Sequence, residues 1–496
     1  MIKLRNWASK DLNAYIGCAL IFLVWGILYL PSLRTLPSWY GDETMTFKVS
    51  CDFVRGESSY YAWWNTFWSA RYPYQKIYAW ICGMFGMAGG YDILAGRFFN
   101  ALLALSGGFV IYGLGSNPFG KKAALFCSFV FLTYYESVIH FRMCYPHNAV
   151  GIGVLMMTLF SLHSSSLKND IGSGVGLAIA AGSHPIFIYA AIALLICRIT
   201  KPKSWLILYL PSLFVVSASL LTSYLRFGKA WMQEDLSYLG SWYLSMGHTN
   251  GSGSQGFINL LNFVFQDFFH IGALLGIILS LKKGYYPLGI ISLICLVLLT
   301  KNRANLTVFY YQAVIILPTL SLCWGLLYQV AEKYKSSFKF PPIAIIMWII
   351  PLIFFAENSL SLFSNKLYPK DHYWATQSCE EVEAVSVWLN ERTTQDDTIM
   401  ANENLAWLLK GHGIPILQMV TWYGLPTYGA TVPRERFRFD ASLETAKFAV
   451  LGDIDLRWAI GAEPGASTII KKLQDQHWPT VWQGPNYTIL ANPKRL

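Results

Sequence analysis

Long apolar segments dominate the first 360 residues of this chain, and short loops between them carry many of its basic residues. Crossing the hydrocarbon core of a bilayer takes about 20 apolar residues of helix. With 54% hydrophobic and only 13% charged residues, the 496-residue chain departs from the composition of soluble domains. The pattern therefore predicts a polytopic α-helical membrane protein with about 11 transmembrane helices.

The basic residues indicate topology rather than a nucleic-acid partner. The net charge is +10, but Lys and Arg alternate with the apolar segments instead of forming one patch or stripe. Lys3, Arg5 and Lys10 precede the first span, which places the N-terminus in the cytoplasm by the positive-inside rule. Residues 34–75 then form a first outer loop, whose Trp and Tyr residues predict interfacial helices, and residues 225–256 form a large outer loop.

The sequence allows specific predictions about the helices in three segments of the membrane domain. Residues 171–198 have basic residues beyond both ends, so we expect a hairpin that turns at residues 182–186, where Pro185 interrupts helical hydrogen bonding. Residues 75–90 are short and rich in Gly, which predicts a partial or re-entrant element. Residues 257–281 are apolar enough for one span.

Beyond residue 361 the chain changes character, because charged residues become frequent and apolar runs shrink to strand length. The segments "EVEAVSVWLNERT" and "TIIKKLQDQ" have helical spacing, whereas "TIMANEN", "KFAVLGD" and "YTILANP" are typical of short buried strands. We therefore divide the chain into a transmembrane domain, residues 1–360, and a soluble α/β domain on the outer face, residues 361–496.

Two adjacent acids, Asp42 and Glu43, follow the first span in the segment "PSWYGDETMTF". One interpretation is that they cap an interfacial helix, since carboxylates stabilise helix N-termini. The other is that one of them is a general base for an acceptor hydroxyl or amine. Transfer of a sugar from a lipid phosphate requires such a base, together with groups that stabilise the departing phosphate.

Five cations on the predicted outer face are candidates to bind that phosphate: Arg142, Arg226, Lys229, Lys301 and Arg303. The planar fork of Arg donates two parallel hydrogen bonds to phosphate, and Lys supplies a compact charge. The alternative for each is a snorkelling or headgroup-binding side chain. The short loop with Lys301 and Arg303 violates the positive-inside rule, which favours a functional role for these two.

His147 and His184 also lie near the predicted outer face, and the alternative for both is a hydrogen-bonded residue at a helix end. Asp42, Glu43 and His147 are the residues that a metal site would combine. However, the chain has no i, i+4 ligand pair here, and no acid occurs in "FRMCYPHN". We therefore expect no cofactor, and a divalent metal ion at these residues is the alternative.

Several segments match motifs of one enzyme superfamily: "GDE", "YDILAGRFFNALLALSGG", "FRMCYPHN", "GSHP", "ANENLAWLL" and "RFRFD". Through them the chain resembles the GT-C membrane glycosyltransferases over nearly its whole length. The likeness is greatest to the branch of protein mannosyltransferases and lipid A aminoarabinose transferases. Relatives often carry an acid where Asn148 stands, which weakens the expectation of a bound metal. "TWYGLP" lacks the central Asp of the oligosaccharyltransferase WWDYG motif, so transfer of a whole glycan to Asn is not expected.

The resemblance implies a sugar donor linked to a polyprenyl phosphate such as undecaprenyl phosphate, and an acceptor lipid, glycan or protein of the cell envelope. It makes Asp42 the catalytic base, with Glu43 second, and outer-face cations the phosphate ligands. It also implies the bacterial inner membrane, with the active site on the periplasmic face. We expect inversion at the anomeric carbon.

Two other functions are compatible with the residue pattern. One is a non-catalytic lipid or glycan transporter, in which the same acids and cations line a translocation path. Transporters concentrate ionisable residues within their spans, whereas here they gather at the predicted outer face, which favours the enzyme. In the other, the C-terminal domain recognises cell-envelope partners and catalysis is lost.

Overall fold

The computed structural model of this chain describes residues 2–56, 76–163, 166–199, 204–222, 224–225, 253–301, 313–333, 343–367, 378–405, 407–426, 434, 437, 440–452, 456 and 465–495. The helices are α1 (Ile2–Tyr29), α2 (Gly41–Arg55), α3 (Lys76–Ala88), α4 (Ile93–Phe119), α5 (Lys121–Thr133), α6 (Tyr135–Phe141), α7 (Pro146–Leu162), α8 (Leu167–Ala181), α9 (Phe187–Cys197), α10 (Trp205–Thr222), α11 (Gly253–Phe265), α12 (Phe268–Lys282), α13 (Tyr286–Lys301), α14 (Leu317–Lys333), α15 (Ile343–Met347), α16 (Ile349–Phe363), α17 (Cys379–Asn390), α18 (Ile416–Trp422) and α19 (Ala466–Asp475). The strands are β1 (Thr398–Met400), β2 (His412–Ile414), β3 (Ala446–Gly452), β4 (Thr480–Gln483) and β5 (Tyr487–Ala491).

The chain divides into two compact units. The helical unit comprises Met1–Leu36, Arg97–Ser219 and Asn250–Asp371. The mixed unit comprises Pro37–Gly96, Leu220–Thr249 and His372–Leu496. The acidic segment with Asp42 therefore shares a unit with the C-terminal α/β domain.

Apolar helices confirm the predicted polytopic helical class. Among the described residues, four helical segments are long and apolar enough to cross a membrane: Leu12–Tyr29, Ile93–Phe119, Trp205–Thr222 and Ile343–Phe363. The pair α5 and α6 makes a fifth if it is one broken span, since its two parts meet at a bend of 64°. Helices α7, α9, α12 and α13 are apolar but shorter. The number of 11 crossings stays a prediction.

The bend between α5 and α6 is stabilised by side chains from other helices. Asn358 on α16 donates from Nδ2 to the carbonyl of Thr133, at 2.8 Å, where the regular helix ends. Tyr134, the residue at the bend, stacks on Phe269 with ring centroids 3.9 Å apart. Backbone groups freed at a helix break inside apolar surroundings must find such partners, and these contacts explain how the break is tolerated.

The predicted span over residues 257–281 is not one continuous helix, because the chain breaks into α11 and α12 at Asp267. The Asp267 carboxylate caps α12 by accepting a hydrogen bond from the backbone amide of His270 at 3.1 Å. Its other oxygen accepts one from the Tyr134 hydroxyl at 2.7 Å. An Asp with these two partners starts a new helix, because its side chain replaces the missing backbone acceptor.

Two other predictions about the helices are confirmed. Helix α8 ends at Ala181 and α9 begins at Phe187, so the hairpin turns at residues 182–186. The Gly-rich segment forms only the 13-residue helix α3, as the prediction of a partial element expects.

The mixed unit contains the predicted α/β domain, built on a five-stranded sheet of order β2-β1-β3-β5-β4. Strands β1, β2 and β3 are parallel, and β5 pairs antiparallel with both β3 and β4. Strands β1, β3 and β5 lie in the predicted segments, whereas β2 and β4 were not predicted. The segment after β1 is a 3-10 helix, Glu403–Leu405. Placement of this domain on the outer face stays a prediction.

Helices α2 and α3 of the mixed unit approach each other closely through glycine. A Cβ on Gly83 would lie 2.1 Å from the backbone oxygen of Ser50, and one on Gly86 would lie 2.5 Å from the Cys51 sulfur. Backbone atoms cannot move aside as a flexible side chain can. The Gly content of this segment therefore serves helix packing.

Replacing Gly83 by Ala should destabilise the protein, because the added methyl group forces α2 and α3 apart. We expect a loss of about 1–3 kcal/mol in the free energy of unfolding, the usual cost of overpacking. Gly26→Ala on α1 is the matched control, since nothing lies within 4 Å of its added Cβ. Thermal unfolding of the detergent-solubilised protein measures both, and equal transition temperatures would contradict the prediction.

Candidate functional site

Helix α2 begins directly before the two candidate acids. Tyr40 has extended backbone angles, φ −104° and ψ 144°, and makes no side-chain cap. Helical geometry starts at Gly41, so Asp42 and Glu43 lie in the first turn. Both carboxylates are therefore near the positive end of the helix dipole, as the capping interpretation expects.

The two acids differ in their surroundings. Glu43 is fully buried, whereas Asp42 is half-buried. Burial raises the pKa of Asp42 to about 6, although a hydrogen bond from the Tyr40 side chain acts in the opposite direction. A carboxyl group with this pKa is largely ionised at neutral pH and is still basic enough to take a proton. The half-buried Asp42 thus fits the role of a general base better than Glu43.

A segment of the C-terminal domain lies against this first turn. The Thr44 hydroxyl is within hydrogen-bond distance of two carbonyl oxygens, that of Gly41 at 2.9 Å and that of Glu403 at 2.6 Å. A Cβ on Gly41 would lie 3.0 Å from the Cβ of Glu403. The 3-10 helix that starts at Glu403 is thus directly apposed to the start of α2.

Aromatic rings extend this contact on either side of the acids. Trp407 packs edge-to-face on Trp39, with centroids 5.2 Å apart, and on Phe47, with centroids 5.9 Å apart. Trp39 precedes the acids in sequence and Phe47 follows them. The segment "ANENLAWLL" therefore contributes to the surroundings of Asp42, a role that its sequence alone did not indicate.

An ion pair follows one turn further along α2. The Lys48 amine lies 3.3 Å from the carboxylate of the buried Asp52 and 3.5 Å from the Tyr91 hydroxyl. Burial by itself would lower the pKa of Lys48, but Tyr91 and Asp52 outweigh it and raise the pKa. Sequence reasoning missed this cation, although the i, i+4 spacing of Lys48 and Asp52 was a usable signal.

The Arg142 side chain binds backbone carbonyls and is shielded from solvent. The side chain is fully buried, and its three nitrogens donate to the carbonyls of Leu28 at 2.7 Å, Pro31 at 2.6 Å and Leu36 at 3.1 Å. Arg97 similarly donates to two carbonyls of the segment that follows α1, at 3.0 and 3.2 Å. These bonds satisfy carbonyls at and after the end of α1, a structural role that differs from the predicted phosphate contact.

The predicted loop "FRMCYPHN" and the turn "GSHP" come together inside the helical unit. The rings of His147 and His184 have centroids 4.3 Å apart, and both are buried. His184 Nδ1 accepts a hydrogen bond from the backbone amide of Ile186 at 3.2 Å. This bond supports the alternative for His184 that the sequence left open, a hydrogen-bonded residue next to a helix end.

Asn148 and its neighbours form a second buried polar group in this unit. Its side-chain amide nitrogen lies within 3.0 Å of three oxygens, on Asn100, His140 and Met143. The His140 ring in turn lies 3.2 Å from the carboxylate of Glu136. Asn148 therefore holds the loop between α6 and α7 in shape.

The remaining predicted phosphate ligands cannot be placed. Arg226, Lys229 and Arg303 lie outside the described residues, as does the side chain of Lys301 at the end of α13. No group of three or more His, Cys, Asp or Glu residues in the described part of the chain could hold a metal ion.

Replacing Arg142 by Lys should lower stability, because an ammonium group cannot reach the three carbonyls that the guanidinium binds. We expect a loss of about 1–3 kcal/mol, the cost of leaving buried polar groups unsatisfied. Thermal unfolding measures this, with Arg392→Lys on the exposed surface of the C-terminal domain as the control. If Arg142→Lys kept full stability and only the KM for a lipid-linked donor rose, Arg142 would be a phosphate ligand instead.

Comparison with known proteins identifies solved structures of similar architecture. No protein-family model and no curated protein matches the chain by sequence. Among solved structures, ArnT from Cupriavidus metallidurans bound to undecaprenyl phosphate is similar, with a TM-score of 0.66 and 13% identity over 97% of this chain and 98% of that one. The Archaeoglobus fulgidus oligosaccharyltransferase tethered to an acceptor peptide has a TM-score of 0.52 at 11% identity, over 96% of this chain and 74% of its own.

The arabinofuranosyltransferase AftD from Mycobacteria is similar with a TM-score of 0.50 and 14% identity, and the alignment covers 96% of this chain but 39% of AftD. All three are GT-C glycosyltransferases. The alignments run over nearly all of this chain, through both compact units. The likeness predicted from the sequence is therefore confirmed at the level of the fold: this chain has the architecture of the GT-C membrane glycosyltransferases.

Proposed function

We propose that this protein is a membrane glycosyltransferase that moves a sugar from a polyprenyl-phosphate-linked donor to a cell-envelope acceptor. The observation that carries the proposal is the half-buried Asp42 carboxylate, with its raised pKa, at the start of α2 in a chain of GT-C architecture. The class of chemistry is inferred by analogy with proteins of this fold, and Asp42 supplies the base that such chemistry requires.

The reaction is a single displacement at the anomeric carbon. Asp42 takes the proton from an acceptor hydroxyl or amine, and the acceptor atom forms a bond to C1 of the sugar. The bond between C1 and the phosphate oxygen breaks at the same time, and its electron pair remains on that oxygen. The products are the glycosylated acceptor with inverted configuration and a polyprenyl phosphate that carries one more negative charge.

The departing phosphate needs positive charge, which lowers the barrier as negative charge develops. We assign this role to Arg226, Lys229, Lys301 and Arg303, the predicted outer-face cations whose side chains lie outside the described residues. Arg142 is left out, because its guanidinium donates to three backbone carbonyls. The ArnT structure with undecaprenyl phosphate supports a lipid phosphate as the common part of the donor.

We place the reaction on the periplasmic face of a bacterial inner membrane. The positive-inside rule supports this side for residues 34–75, since Lys3, Arg5 and Lys10 precede the first span. The proposed topology keeps about 11 crossings, in which the shorter apolar helices also take part. The acceptor is a lipid, glycan or protein that reaches this face.

One observation favours the transporter as a second candidate. Glu136 and His140 form a buried pair on α6, in the second half of the broken apolar segment. Paired ionisable groups at such positions occur along translocation paths. The two functions differ in chemistry, because a transporter delivers its lipid-linked substrate intact, whereas the transferase cleaves the bond between sugar and phosphate.

Asp42→Asn should lower kcat by about 10²–10⁴-fold, the usual contribution of a general base. The amide keeps the size and the hydrogen-bonding shape of the carboxylate but cannot take the proton. Glu43→Gln is the matched control: the same change at the next residue, on a fully buried side chain, should cost less than about tenfold. Transfer of radiolabel by the purified variants measures both, after their folding has been verified. Full activity in Asp42→Asn would refute the assignment.

The pH dependence of transfer should report the same carboxyl group. Burial raises its pKa to about 6, and only the ionised form accepts a proton. The kcat/KM value should therefore rise with pH, with a slope of about one, through a midpoint near pH 6, and should be lost as pH falls below it. Initial rates between about pH 4.5 and pH 8 measure this rising part of the pH profile. A profile that is flat between pH 5 and pH 7 would exclude Asp42 as the base.

A further inference from the structure

A segment on the C-terminal side of β1, Asn402–Leu405 together with Trp407, lies against the start of α2, although about 360 residues separate the two in sequence. We propose that this segment, which we call the clamp, is part of the catalytic machinery: it positions the first turn of α2 and, with it, the Asp42 carboxylate. The inference rests on the proposed function and adds a positioning role for the α/β domain.

The clamp contacts the chain before, at and after Asp42. Trp407 packs edge-to-face on Trp39, three residues before Asp42, and on Phe47, five residues after it. The carbonyl of Glu403 lies 2.6 Å from the hydroxyl of Thr44. The three contacts together restrain both the start of α2 and its rotation about the helix axis.

The backbone of the first turn leaves almost no space at this contact. A Cβ on Gly41 would lie 3.0 Å from the Cβ of Glu403 and 3.6 Å from an oxygen of Asn402. A side chain at position 41 would require Glu403 to shift by a few tenths of an ångström. Gly41 thus permits the close approach of the clamp to α2.

The clamp is itself fixed to the sheet. Asn404 is fully buried, and its side-chain amide donates to the hydroxyl of Tyr487 on the interior strand β5. Its backbone amide donates to the side chain of Asn402 at 3.2 Å, and Leu405 N donates to the carbonyl of Asn402 at 3.1 Å. A rigid support of this kind is what a positioned catalytic group requires, since small displacements reduce rates strongly.

Two pairs of variants test the clamp in the full-length protein. Thr44→Val removes the hydroxyl that faces Glu403, and Thr44→Ser keeps it. Trp407→Ala removes the ring between Trp39 and Phe47, and Trp407→Phe keeps an aromatic ring. The matched control is Trp388→Ala, because Trp388 also makes an edge-to-face pair, with Phe448 at 5.3 Å, in the same domain.

The kinetic readout is the separation of kcat from the donor KM, measured on protein of verified folding. We expect kcat to fall about tenfold in Thr44→Val and about 10²-fold in Trp407→Ala, with the donor KM little changed. Thr44→Ser and Trp407→Phe should recover most of the activity, and Trp388→Ala should keep it. Wild-type kcat in both Thr44→Val and Trp407→Ala would overturn the proposal.

A second readout does not depend on activity, so that the clamp is tested even if no donor supports transfer. Hydrogen–deuterium exchange of the peptide that covers the first turn of α2 should be faster in Trp407→Ala than in Trp388→Ala or the wild type. Unchanged exchange in Trp407→Ala would overturn the clamp. An absence of transfer by the wild type would instead contradict the proposed function.

Discussion

An apolar chain must satisfy its own backbone hydrogen bonds, and this requirement determines where its polar side chains lie. At four irregular points among the described residues of the helical unit, a polar side chain supplies the missing partner. Arg142 donates to three carbonyls at and after the end of α1, Asn358 to the carbonyl at the bend after α5, and Asn148 to the loop before α7. Asp267 accepts from the first turn of α12. Broken and bent helices are therefore stable features of this fold.

The need to satisfy backbone hydrogen bonds also distinguishes residues with a structural role from candidates for catalysis. Buried polar residues such as Arg142 and Asn148 use their hydrogen-bond donors to bind backbone carbonyls. Asp42 differs because its carboxylate is half-buried at a helix start and its pKa is raised by desolvation. The packing of Trp407 on Trp39 and Phe47 and the apposed 3-10 helix restrain the start of the helix that carries this side chain, as the proposed role of a positioned general base requires.

Sequence reasoning succeeded where a local pattern decides the structure. Pro185 marked the break between α8 and α9, and apolar runs of strand length marked β3 and β5. It failed where the deciding contact is distant. Asp267 splits an apolar run because Tyr134 and the amide of His270 bind its carboxylate. The three backbone contacts of Arg142 were not predicted either, because the carbonyls that it binds are more than 100 residues away in the chain. Likewise, nothing in "ANENLAWLL" indicated a contact with α2.

Transfer of label from a panel of radiolabelled polyprenyl-phosphate sugars, with purified protein in proteoliposomes and membrane extract as acceptor, tests the central claim most directly. Chromatography of the lipid products and NMR of the glycosylated acceptor report bond cleavage and anomeric configuration. The proposed function predicts that one donor loses its sugar, that free polyprenyl phosphate accumulates and that the product has the inverted configuration. Intact donor with every sugar, in protein shown to be folded, would contradict the transferase, and intact donor moved across the bilayer would identify a transporter.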